Sequence, residues 1–426
     1  MYSLAFSILF LVFFVLTLAL RFWLAGRQLR HVAAHRGAVP AEFATKIALD
    51  AHQKAADYTA AKTRFGLVSL FFSSAVLIGF TLLGGLNWLA HTLLPLTGPG
   101  MTYQIGLLVA FALIGGALDL PFDYYRQFVL EQRFGFNKMT VGLWLADMAK
   151  GVLVGALIGL PLIWVVLTVM EKTGPLWWLY AWLVWSGFQL LMMVLYPTVI
   201  APLFNKFTPL ADDSLKARIE GLMARVGFAS KGLFVMDGSK RSAHGNAYFS
   251  GFGANKRIVF FDTLLARLAP QEIEAVLAHE LGHFKLKHIV KRIGVMFVVS
   301  LGFLALLGYL KEQVWFYTGL GVEPMLGVSN DAMALILFLL ALPVFTFVLS
   351  PLTSITSRKH EFEADAFAAT HTDARDLVSA LVKMYEDNAS TLTPDPLHSA
   401  FYDSHPPASV RIKQLNLAAA PSLAAT

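Results

Sequence analysis

The chain has no cysteine among its 426 residues. Disulfides and thiolate metal sites are thereby excluded, so a bound transition metal must rest on histidine and carboxylate side chains. A prenylation box of its own is excluded for the same reason. Charge is scarce too: Asp, Glu, Lys and Arg make up 15% of the residues against 56% hydrophobic ones, and mean hydropathy is +0.60. Soluble domains carry about 25% charged residues, and this deficit implies a chain held in a bilayer. No dense Lys/Arg cluster occurs. The net charge of +6 therefore reads as basic loops flanking membrane helices, and nucleic acid is not an expected partner. No internal repeat is visible, and the only low-complexity run is the Ala-rich end, Ala418 to Thr426, expected to be disordered.

Long apolar runs are plentiful. Seven stretches reach the roughly 20 residues that a membrane helix needs: Leu4–Leu24, Leu67–Leu93, Ile105–Leu120, Val152–Met170, Leu176–Ile200, Ile289–Leu310 and Met333–Ile355. The first has no early basic region or small-residue cleavage site, so it reads as an anchor rather than a removable signal. The segment after it carries seven basic residues, Arg27, Arg30, Arg36, Lys46, Lys54, Lys62 and Arg64, whereas His91 to Gln104 carries none. Arg126, Arg133 and Lys138 follow the third stretch, and a single lysine lies between the fourth and fifth. This alternation places the N-terminus outside the cytoplasm and both long hydrophilic regions inside it.

The expected fold class is a polytopic α-helical membrane protein with a small α+β insert. Residues 1–203 hold the first five transmembrane helices, 204–288 a cytoplasmic insert, 289–356 helices six and seven, and 357–426 a cytoplasmic C-terminal region. Within the insert, Asp212–Val226 reads as a helix, and Leu233–Asp237, Ala247–Phe252 and Ile258–Asp262 read as short strands between Gly, Ser, Asn and Lys turns. A sheet edge beside a metal helix would let an extended peptide add as one more strand.

The insert ends in Ala278-His279-Glu280-Leu281-Gly282-His283-Phe284. His279 and His283 are four residues apart and share one helix face, which suits two ligands of a tetrahedral Zn2+; Glu280 can reach a water there as general base. Pro270, Glu272 and Glu274 mark a helix start, and Ile273, Val276, Leu277 and Leu281 recur at helical spacing. A catalytic zinc needs one more protein ligand. Past the seventh stretch, SRKHEFEADAFA (357–368) offers Glu361 and Asp365 on one helix face. Glu361 is the expected third ligand and Asp365 the acceptor for a ligand histidine's far N–H. Glu363, about 200° around the helix from Glu361, is the rival ligand. In the tail, His405 before two prolines is a stiffly held donor for a developing oxyanion, with His398 as competitor, and Arg411 can pair with Asp365.

The chain resembles the type I CAAX prenyl protease family of integral-membrane zinc metalloendopeptidases. The likeness rests on LEQRFGFNKMT (130–140), YPTVIAPLFNKFTPL (196–210), HGNAYFSGFGANKRIVFFDTLL (244–265), HELGH (279–283), SRKHEFEADAFA (357–368) and SHPPASVRI (404–412). It implies seven helices ringed around a water-filled chamber with a zincin-like insert, and one Zn2+ per chain held by His279, His283 and Glu361. It further implies Glu280 as base, His405 at the transition-state oxygen, Asn246 on the strand that aligns substrate, and Asp365 with Arg411 as a supporting pair. Its substrates are peptides or proteins, prenylated in the family. Departures are Gly245, where serine is common, and the run around His398 and Phe401 to Asp403. The terminal PSLAAT shows no basic retrieval signal, so a bacterial inner membrane is expected rather than the endoplasmic reticulum. Two alternatives share these features: a stress-type protease that degrades misfolded membrane proteins, and a non-enzymatic chamber with a structural metal. The second is disfavoured because structural zinc normally takes four protein ligands.

Overall fold

The computed structural model of the chain describes residues 1–250 and 256–419. Among the described residues, seven helices are long and apolar enough to cross a membrane: Tyr2–His35, Leu49–Phe80, Met101–Phe134, Val141–Lys172, Gly174–Phe204, His288–Leu310 and Asp331–His371. Most run past their apolar stretches because their polar ends continue as helix outside the hydrocarbon; the sixth matches its stretch to within a residue. The second stretch divides. Its helix stops at Phe80 and a separate helix, Gly85–Thr97, follows. The pair Gly84-Gly85 makes the break: Gly84 is left-handed at φ 79°, and a Cβ on Gly85 would stand 2.7 Å from the Gly79 carbonyl oxygen. The third and fifth helices each contain a π-helical turn, Arg126–Glu131 and Tyr196–Ile200.

In six of the seven spans no more than 11% of the apolar window is buried within the protein, against 50% in the last. The last span is the one most enclosed by the others: its Ile336, Leu337 and Ala341 share a core with Phe10 of the first span, Leu107 of the third and Leu307 of the sixth. One face of each meets lipid, where apolar exposure costs nothing.

The insert forms a four-stranded mixed sheet from β1 (Phe207–Pro209), β2 (Leu233–Met236), β3 (Ala247–Ser250) and β4 (Arg257–Phe261). The strand order is β1-β2-β4-β3, with β2 and β4 parallel and the other two pairs antiparallel. β3 is therefore an edge, in register from Ala247 opposite Phe260 to Ser250 opposite Arg257. The short, proline-ended β1 carries no alternating pattern and is absent from the sequence reading. Gly251 and Phe252 of the expected strand lie outside the described residues, as do residues 420–426 of the Ala-rich end.

The helix Asp213–Arg225 begins where Asp212 accepts from the Ser214 and Leu215 amides at 2.9 and 3.0 Å. Pro270–Lys285, the motif helix, begins with Pro270 at its first position, and Glu272 reaches back to accept from the Ala269 amide at 2.7 Å. Its Ile273, Leu277 and Leu281 share one core with Ile258 and Phe260 of β4, Leu377 and Leu381 of the helix Ala374–Asp387, and Ile412 of the C-terminal helix Ala408–Ala419. Lys287, left-handed at φ 58°, turns the chain directly from the motif helix into the sixth span. The seventh span's helical path continues without a loop through residues 356 and 357, so Ser350–His371 carries SRKHEFEADAFA out of the membrane on the end of a span.

Candidate metal centre

The motif helix and Ser350–His371 cross where Gly282 meets Ala364. A Cβ on Gly282 would stand 3.0 Å from the Ala364 Cα and 3.1 Å from the Phe367 Cβ, so any larger residue would push the two backbones apart by a few tenths of an ångström. That crossing sets Glu361 opposite the two histidines. Gly282→Ala should cost about 1–3 kcal/mol by overpacking and weaken metal retention, whereas Gly282→Val should do more of both. Melting curves with and without zinc check this, and unchanged zinc stabilisation in the Val variant would separate the crossing from the site.

His279 Nε2 and His283 Nε2 lie 3.2 Å apart, and Glu361 places Oε2 3.5 Å from the first and Oε1 3.3 Å from the second. A tetrahedral ion with ligands at 2.0–2.1 Å needs ligand atoms about 3.3 Å apart; the two imidazole nitrogens and the two Glu361 oxygens, one facing each imidazole, stand near that spacing. Glu361 Oε2 is buried without a hydrogen-bond partner among the described residues, an orphan that such an ion would satisfy. His279, His283 and Glu361 are thus a group that could hold a metal ion.

The far side of His279 is fully engaged. Its Nδ1 lies 2.8 Å from Asp365 Oδ1, and Asp365 also accepts from Arg411 Nε and Nη2 at 2.8 and 2.6 Å. All three residues are buried. An N–H on Nδ1 leaves the Nε2 lone pair facing Glu361. Burial opposes a positive charge on His279, but the Asp365 and Glu361 carboxylates on either side of the ring outweigh it and push its pKa up to about 9. Burial likewise opposes the Arg411 charge, and Asp365 more than compensates, raising its pKa.

His283 is held by residues to which the sequence reading assigned no such part. Its Nδ1 lies 3.1 Å from His288 Nδ1, and His288 Nε2 lies 2.8 Å from Glu363 Oε2. Glu363 thus faces a different histidine from Glu361, in keeping with their separation around the helix. The sequence offers only that His288 lies five residues beyond His283, a spacing that does not itself bring the two rings together.

Glu280 is half-buried on the motif helix beside His279. His405 is exposed; its Nδ1 lies 2.9 Å from Ser404 Oγ and its Nε2 3.4 Å from Glu361 Oε1, at the open side of the triad. His398 is not brought to the triad: its ring stacks on Tyr402 with centroids 4.5 Å apart. The segment bearing these histidines is tied back by Arg358, which donates to the Ser399 carbonyl and hydroxyl oxygens at 2.6 and 2.9 Å. Asn246 is exposed immediately before β3; its carbonyl accepts from the Phe261 amide at 3.0 Å and its side chain from the Ala247 amide at 2.8 Å. The stretch leading to it is pinned to the membrane region. Arg241 pairs with Asp147 through two bonds of 2.8 and 3.1 Å, and the Ala243 amide donates to the Phe136 carbonyl at 3.1 Å. At Gly245 a Cβ would meet Leu264 at an ordinary 3.5 Å, so nothing steric demands glycine there.

Seven apolar spans, joined to a mixed sheet and a motif helix whose histidines meet a carboxylate from the last span, define an integral-membrane metallopeptidase of multi-pass topology. The chain is 37% identical over 384 residues to the CAAX prenyl protease 1 homolog of Arabidopsis thaliana, covering 87% of this chain and 88% of that one. CAAX prenyl protease 1 of Saccharomyces cerevisiae is 36% identical over 393 residues, with 85% of each covered. The crystal structure of S. mikatae Ste24p superposes with a TM-score of 0.88 at 32% identity, over 97% of this chain and 98% of that one. Residues 28–206 match the family described as CAAX prenyl protease N-terminal, five membrane helices, and residues 209–419 match peptidase family M48. The chain belongs to the CAAX prenyl protease 1 family within peptidase family M48, and is a metalloendopeptidase.

Proposed function

We propose that this protein cleaves peptide bonds near the C-terminus of prenylated chains, at the cytoplasmic face of its membrane, with one Zn2+ held by His279, His283 and Glu361. The observation that carries this reading is the set of ligand-atom separations of 3.2 to 3.5 Å among those three side chains. Zinc bound there supplies a Lewis acid that polarises the scissile carbonyl and brings a water's pKa to about 7. Glu280 takes the proton of the attacking water and later delivers it to the leaving amine. His405, with Nδ1 against Ser404, offers Nε2–H to the oxygen that gains charge. Asp365 and Arg411 hold His279 in the tautomer that leaves Nε2 unprotonated. Asn246 and the unpaired edge of β3 align an extended substrate by backbone pairing.

The cytoplasmic placement follows from the basic residues around Arg27 to Arg64, and the prenylated substrate from the names of the relatives. A farnesylated peptide incubated with detergent-purified protein should be cleaved, and a chelator should stop cleavage until zinc is restored. Cleavage that persists through metal removal would contradict the metal-dependent reading. Faster digestion of an unfolded membrane protein than of the peptide would shift the substrate to misfolded chains.

A further inference from the structure

A second group of ligating side chains lies directly behind the first. His288, His360 and Glu363 each offer a ligand atom, and these atoms lie within 4.8 Å of one another. His288 is buried at the start of the sixth span, while His360 and Glu363 stand three residues apart on one face of Ser350–His371. The His288 and His360 rings stack with centroids 4.0 Å apart and planes within 10°. His288 and Glu363 bond to each other, but His360 makes no hydrogen bond to a described residue. Two imidazoles and a carboxylate are the donor set of zinc and its neighbours among the divalent transition metals. A shallow groove of about 570 Å3, lined by Arg358, Lys359, Phe362 and Glu363 among others, reaches Glu363 from outside. Lys359 lies 3.8 Å from the Glu363 carboxylate but is largely exposed and can swing aside, which sets the expected affinity below that of the first site.

We infer that His288, His360 and Glu363 form a second, weaker site for a divalent transition cation, and that filling it inhibits the enzyme through His283. The coupling clause rests on His283 being a ligand of the first ion; the site itself does not. With Nε2 of His283 on that ion, the ring's one proton is on Nδ1, and His288 Nδ1, 3.1 Å away, must accept it. Neutral His288 accepts there only with its own proton on Nε2, donated to Glu363 Oε2 at 2.8 Å. A cation on His288 Nε2 takes that lone pair and leaves the His288 proton on Nδ1, where two N–H groups then face each other. The bond that orients His283 is lost, and loss of such a partner lowers metal affinity or activity by about 10- to 100-fold.

The test is equilibrium dialysis of the purified full chain against rising zinc chloride, with metal counted per chain and farnesyl-peptide cleavage followed in parallel. Two variants accompany it: His360→Phe, which keeps the ring stack, and Glu363→Gln, which keeps an acceptor for His288. The wild type should take up a second ion as zinc rises and lose activity over the same range. Both variants should retain the first ion and bind the second at least tenfold more weakly, and His360→Phe should resist inhibition. A chain that saturates at one ion, or a second ion that both variants bind as the wild type does, would overturn the site. Inhibition that persists in His360→Phe after second-ion binding is lost would overturn the coupling. Absence of even the first ion would instead count against the metal centre proposed above. Zinc-edge diffraction from zinc-soaked wild-type crystals gives a reading that does not depend on either variant folding.

Discussion

Glu280→Ala should abolish cleavage while the purified protein still carries its zinc. The carboxylate is not part of the His279, His283 and Glu361 group, so its removal takes no ligand atom from the ion. What it removes, in the proposed mechanism, is the proton acceptor beside His279. General acid–base catalysis contributes about 10²–10⁴ in rate, and in that mechanism Glu280 serves twice in one turnover, first as base and then as acid. A fall in kcat of about a thousandfold or more is therefore expected, with KM for a farnesylated peptide changed little. Glu280→Gln should behave the same way, since it keeps the side chain's size and half-buried packing but not its basicity. Kinetics beside metal analysis decide the matter: kcat within about tenfold of wild type would take the base role from Glu280, and loss of zinc would recast it as a ligand.

Glu361→Ala should be the more damaging substitution for the metal. It removes one of the three proposed ligand side chains and leaves a buried and a half-buried imidazole to hold a cation alone. It also deletes the carboxylate that lies 3.5 Å from Arg411 Nη1, leaving that buried guanidinium with Asp365 alone as its charge partner. Outer partners of a metal ligand are worth about 10- to 100-fold in affinity, so loss of the ligand itself should exceed that range. Glu363→Ala stays within it, because Glu363 touches only His288 among the residues that lead to the ion. Zinc counted after identical purification and dialysis should be nearly absent from the first variant and largely retained by the second. Equal loss from both would mean that the carboxylate assignment is reversed.

Much of this was open to a reader of the sequence, and for identifiable reasons. The histidine pair is legible because four residues on a helix is a fixed geometry, and the seven spans are legible because apolar length is a direct physical requirement of the bilayer. Helix angle and the family resemblance both favour Glu361 over Glu363; the structure sets each carboxylate against a different histidine. The contact between His283 and His288 was hidden because it depends on the left-handed turn at Lys287, a residue type that does not announce that conformation. The break at Gly84-Gly85 lay inside an apolar run, where hydropathy sees continuity and only backbone geometry sees the end of a helix. Strand β1, three residues closing on Pro209, is too short to carry a period and exists because β2 offers it a partner. The same holds for the tail: His405 and Arg411 were singled out as residues, but the Arg358 bonds to Ser399 that tie their segment to the last span are tertiary facts.

The most direct test of the metal centre is a zinc-edge anomalous difference map from crystals of the protein purified without added metal. One strong peak within bonding reach of His279 Nε2, His283 Nε2 and the Glu361 carboxylate is the expected result. No peak there, or a peak bounded by other side chains with Glu361 turned away, would contradict the reading of these three residues as the seat of peptide hydrolysis.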